Sequence, residues 1–189
     1  MKKLIASLTL VIALLGISAL QAKEVKPNPK ETAMELEFRK FGNKYVIRIN
    51  PGQNLVKSLQ SFCENKKIHL ATISGIGSLK SVTLGFFNPE TKEYQQKTFA
   101  EPLEMASLVG NVVEKDGKPL MHLHTTVAGD NYKALAGHMA DAEVSLTAEI
   151  IIEPINGTVY KKFDEKTGLN LFNFGETKAL QEAKQPKKK

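Results

Sequence analysis

One stretch with helical spacing, set among short β-rich runs punctuated by turn signals, leaves this chain few ways to fold. From Asn54 the apolar residues Leu55, Val56, Leu59, Phe62 and Cys63 recur three and four apart. That spacing predicts an amphipathic helix over Asn54–Asn65, with Asn54 or Gln53 at its N-cap. Around it lie runs that predict strands: Met34–Phe38, Tyr45–Ile49, Ile68–Ser74, Val82–Phe87, Tyr94–Ala100, Glu104–Val113, Leu120–Val127, Ala142–Pro154 and Gly157–Phe163. Asn50-Pro51-Gly52, Asn88–Glu93 and Lys115–Lys118 carry turn chemistry. Gly75-Ile76-Gly77 precedes a strand and lacks a third glycine, which argues for a β-bulge or tight turn rather than a dinucleotide fingerprint. Many strands and one helix predict an α+β layer fold: a mostly antiparallel sheet with one main helix packed on it.

The two ends are set apart from this body. Met1-Lys2-Lys3 is a short positive region, Leu4–Leu20 an apolar run, and Ser18–Ala22 a stretch of mostly small residues. This is the order of a secretory signal peptide and predicts a periplasmic or secreted protein cut after Ala22. Leu20 is large for its place three residues before the cut, so an uncleaved anchor stays open as an alternative. Once the signal is removed no stable membrane span is expected. Residues 23–33 carry prolines and charges and form a flexible lead-in; 34–175 is the folded domain; 176–189 is a basic, disordered tail.

The formal charge of +6 comes from these ends. Lys23 to Gly175 holds 19 basic and 18 acidic residues, whereas the tail holds five lysines against two glutamates. A nearly neutral body weakens any case for nucleic-acid binding built on overall charge. Cys63 is the single cysteine, so no internal disulfide can form, and its apolar neighbours mark it as a small buried hydrophobe.

Three of the four histidines fall close together: His122 and His124 in Met121-His122-Leu123-His124, and His138 after Gly137. Residues two apart on a strand share a face, so His122 and His124 can aim at one point. His138, arriving from a turn or short helix, would complete a three-nitrogen site suited to zinc or another divalent metal, with a coordination position left open. Affinity for such an ion should fall as pH drops through about 6.5, because a ligating imidazole must be neutral. If the histidines instead bind an anion or line an interface, the protonated form binds better. Glu149, the one acid in Thr147–Ile152, is either on a solvated or paired face or an outer partner of the histidines. Asp130, Asp141 and Glu143 are expected at the surface, and His69 is expected to be structural.

Pro51-Gly52, Ile73–Gly77, Leu84-Gly85, Ser107–Asn111, His122-Leu123-His124 and Gly137-His138-Met139, followed by Phe163–Leu171, occur in the order that resembles the plant and prokaryote conserved (PPC) domain. The resemblance covers about Met34–Phe174. It implies that family's α+β fold with short helical segments, assembly as a homotrimer, and His122, His124 and His138 as the family's histidine constellation, which in some prokaryotic members looks like a zinc site. It also makes a role for Asn111 at the site or a subunit interface an expectation. In plants the domain follows an AT-hook and the combined proteins bind A·T-rich DNA; no Arg-Gly-Arg-Pro core is present here. Three functions therefore stand beside one another: a homotrimeric metal- or small-ligand-binding module, a DNA-binding protein, and a metal-dependent hydrolase or lyase.

Overall fold

The computed structural model describes residues 36–175; the predicted signal peptide, lead-in and tail lie outside the described residues. In chain order the elements are β1 (Glu37–Phe41), β2 (Lys44–Ile49), α1 (Leu55–Lys66), β3 (Ala71–Asn88), β4 (Glu93–Phe99), β5 (Leu103–Lys115), β6 (Lys118–Ala128), β7 (Ala134–Pro154), β8 (Tyr160–Asp164) and β9 (Leu169–Asn173). The chain enters a helical turn again at Phe174 and Gly175. The strands form one sheet with the order β1-β2-β7-β3-β5-β8-β9; β4 adds to β3, and β6 pairs with both β5 and β7. Because β3 also pairs with both β5 and β7, the strands β3, β5, β6 and β7 form a closed circuit. The ladders are antiparallel except where β5 meets β8, at Glu114 and Tyr160.

The sheet is longer-stranded than the sequence suggests. Ile68–Ser74 and Val82–Phe87 belong to one strand, β3, whose pairing with β5 shifts between Gly75 and Gly77; the expected bulge is there, and the strand runs through it. β7 begins at Ala134, well before Ala142. Ala134–Ala140 is rich in Ala and Gly, which carry little β-propensity, so only pairing with β6 makes it a strand.

The helix forms as its spacing predicts. The Asn54 side-chain oxygen accepts from the Lys57 backbone N–H at 2.9 Å, while its amide donates to Asp141 at 2.6 Å and fastens the helix start to β7. Leu55, Leu59, Phe62 and Cys63 face inward and pack with Ile47, Ile49, Ile73, Leu123, Ile150 and Ile152 into one core. Burial there, reinforced by Glu64, pushes the Cys63 thiol up to about 12, so it is an inert core residue.

The other side of the sheet is the outer face. One cross-strand row runs Val46, Ile151, Ser74, Val109, His124, His138, Gly85 across β2, β7, β3, β5, β6, β7 and β3. Alternation places these side chains opposite the core.

Candidate metal centre

His122 and His124 flank Leu123 on β6, and Leu123 is buried in the core. The period of two therefore sends both imidazoles to the outer face. His138 is directly opposite His124 in the β6–β7 ladder. It comes from a strand, not from the turn or short helix expected for it, and register alone delivers it to the pair. The ring centroids are 5.1 Å apart for His122 and His124, 5.4 Å for His122 and His138, and 5.6 Å for His124 and His138. One ring nitrogen from each lies within 4.8 Å of the others.

Glycines let the strands approach beneath these rings. Gly110 on β5 faces Leu123, between the two β6 histidines, and a Cβ there would press on the His122 carbonyl oxygen. Gly85 on β3 faces His138; a Cβ there would come within 3.2 Å of the Tyr94 ring and 3.6 Å of the His138 Cβ. The space above Gly85 is filled instead by Tyr94 of β4, whose ring is 5.3 Å from that of His138 and 5.1 Å from that of Phe87.

The electrostatics favour the neutral form of His122 and His138. Burial, then the positive charge of Lys161 and the neighbouring imidazoles, lowers His122 to about 4. Burial lowers His138 too, followed by His124 and Lys161. Neutral imidazoles have lone pairs to offer. The Nε2 atoms of His122 and His124 are 3.3 Å apart. Two nitrogens bound at about 2.05 Å to one tetrahedral ion would be separated by about 3.3 Å. His138 Nδ1 and Asn111 Oδ1 are buried without a hydrogen-bond partner among the described residues. The donor set, its spacing and the orphaned nitrogen all fit a divalent ion.

Asn111 is the cross-strand neighbour of His122 on β5. Glu149 is not brought to the triad. It lies eleven residues from His138 along β7, roughly 35 Å of extended strand, and is exposed opposite Arg48 and Ile76. Its exposure fits the solvated-face reading. Asp130 and Asp141 are exposed, and Glu143 ion-pairs with Lys80 at 3.0 Å. His69 is remote in function: its Nδ1 lies 2.8 Å from a Glu114 carboxylate oxygen. Sequence reasoning missed Tyr94 and Lys161, which no spacing links to the histidines. Among the described residues no helix is long and apolar enough to cross a membrane.

The Plants and Prokaryotes Conserved (PCC) domain model matches residues 36–156. No curated protein matches the chain. Several solved structures do. A Bacteroides thetaiotaomicron protein proposed to bind DNA is 38% identical, with a TM-score of 0.72 over 74% of this chain and 97% of that one. A metal-containing protein from Archaeoglobus fulgidus is 39% identical, with a TM-score of 0.66 over 74% and 96%. A plant- and prokaryote-conserved (PPC) protein from Pyrococcus horikoshii is 32% identical, with a TM-score of 0.65 over 74% and 95%.

Proposed function

We propose a metal-binding role from one premise: the chain belongs to the Plants and Prokaryotes Conserved domain family. Its function is that of an exported, self-associating module that holds a divalent ion on His122, His124 and His138. The observation that carries this is convergence. Three imidazoles from two paired strands present nitrogens within 4.8 Å of one another, and two of the three are held neutral by burial and neighbouring charge. A set of three imidazoles suits zinc among the common divalent ions. The similar Archaeoglobus fulgidus protein is metal-containing, which supports the same chemistry here.

When bound, the ion supplies a fixed positive charge and an open coordination position for a small ligand. The protein's share is orientation. Pairing with Gly110 on one side and His138 on the other fixes β6, and Asn111 is the cross-strand neighbour of His122, with a buried oxygen that has no hydrogen-bond partner among the described residues. Such an outer contact would fix the His122 tautomer.

Export rests on Lys2-Lys3 and the apolar run Leu4–Leu20. Assembly as a homotrimer rests on the family and on an apolar strip of the outer face: Val46, Ile76, Val109 and Ile151 are all exposed there.

The test is metal analysis of protein purified without a His-tag and loaded with zinc. About one ion per chain is expected. His124→Ala should lose most of it while the fold persists, since Leu123, not His124, belongs to the core. His69→Ala should keep its metal. Absence of bound zinc in the wild type, or equal loss in both variants, would sink the reading.

A further inference from the structure

We propose that the open side of the triad recognises a small organic carboxylate with a planar, apolar body, its carboxylate taken by Lys161 and its body laid against Tyr94. For the ion itself this rests on the metal reading above; the two recognition arms are independent of it.

The first arm is a cation with nothing to balance it. Lys161 stands on β8, in the β8–β9 hairpin beyond the residues that the family model matches. β8 joins the sheet where Tyr160 meets Glu114, three residues past Asn111, the partner of His122. Val113 has the outer-face parity of Val109 and Asn111, yet it is fully buried and stands outside the main core cluster. Something therefore covers the outer face at this end, and β8 is the element paired beside it. Within that cover Lys161 is half-buried, with its ammonium 5.7 Å from the Phe172 ring, and it makes no ion pair among the described residues. Its charge reaches both His122 and His138.

A half-buried, unpaired ammonium is costly. Beside a divalent ion it is costlier, since like charges repel. An anion lying between ion and ammonium relieves both, and a carboxylate is the simplest group that does so while accepting from an N–H donor.

The second arm is a flat apolar wall. Tyr94 and Phe87 pack with their ring planes tilted by 58°, and Tyr94 lies over Gly85 against His138. Tyr94 remains 43% exposed, so a face is left for a ligand. Lys161 acts on the His122 and His138 side and Tyr94 on the outer flank of His138. A ligand reaching from one to the other needs a charged end and a planar body.

Benzoate, acetate and benzamide serve as probes, titrated by calorimetry and NMR into zinc-loaded and metal-free protein. Benzoate should bind more tightly than acetate, and benzamide least. Lys161→Met should weaken benzoate roughly tenfold while zinc content and thermal stability do not fall below wild-type values, and Lys161→Arg should restore most of the affinity. Tyr94→Leu should weaken benzoate several-fold and leave acetate unchanged. Equal benzoate affinity in wild type and Lys161→Met, in both zinc-loaded and metal-free protein, overturns the proposal. Equal weakening of acetate and benzoate by Tyr94→Leu overturns the aromatic arm. A wild type that takes up no zinc overturns the metal reading instead, and the metal-free titration still decides the role of Lys161.

Discussion

His122 and His138 make the histidine cluster sensitive to acid in a direction the fold dictates. In an unfolded chain each would titrate near 6.5, but in the fold burial and the charge of Lys161 lower His138 and take His122 to about 4. Between those values the unfolded chain binds more protons than the folded one, so folding stability rises with pH across that window. Metal-free protein should therefore lose stability steadily as pH falls from about 6.5 towards about 4. Urea unfolding at a series of pH values would measure it, and His122→Gln should flatten the profile. A wild-type profile that is flat from pH 7 to 4 would show that the imidazoles are not held neutral. The same shifts alter what the sequence predicts for metal binding. His122 needs no deprotonation at pH 6 and His138 is shifted in the same direction, so zinc affinity should persist below the 6.5 expected of an ordinary histidine.

At the scale of elements, α1 and β7 are joined by one side chain. Asn54 caps the helix through Lys57 and reaches Asp141, three residues from His138 on β7. Asn54→Ala should cost about 1 kcal/mol, within the usual range for a lost N-cap, as read by denaturant unfolding. A change below a few tenths would mean that the cap and its strand contact are not felt. How far such elements could be foreseen depended on what signals them. The helix was legible because Leu55, Leu59, Phe62 and Cys63 share one side of a 3.6-residue turn. The His122–His124 pair was legible because a strand has a period of two. His138 was offered with them by nearness in sequence and by resemblance, but its strand was not legible, because Ala134–Ala140 lacks the branched residues that announce one. Tyr94 and Lys161 were invisible for a different reason. Tyr94 reaches His138 through the registers of β4 on β3 and of β3 on β7. Lys161 arrives through the parallel joint of β8 with β5. Register between distant strands is a property of the packed sheet, and no local run of residues encodes it.

The whole molecule presents two surfaces to partners, and they make different demands. Charge offers little to DNA. The body carries 19 basic against 18 acidic residues, so any affinity for DNA should reside in the tail, fall steeply with salt and ignore sequence. Deleting Lys187–Lys189 should abolish it in a gel-shift assay; salt-resistant, selective binding by the shortened protein would reverse this ranking. The apolar strip offers more. Val109 is 54% exposed and Ile151 43%, on the same outer face as Val46 and Ile76. In a three-fold ring each copy presents this patch to a different patch of the next, so one substitution weakens every contact at once. Ile151→Glu places a charge that would have to be buried. It should shift light scattering at micromolar concentration from a trimer to a monomer; a wild type that is already monomeric would refute the assembly. The triad supplies a further discrimination. All three imidazoles come from one chain, with β6 and β7 paired to each other, so the ion needs no second copy to complete its ligands. A monomeric Ile151→Glu protein should therefore still load zinc. If its metal content collapses along with the trimer, a neighbouring copy must be holding the histidines in place, and assembly and metal binding are one property.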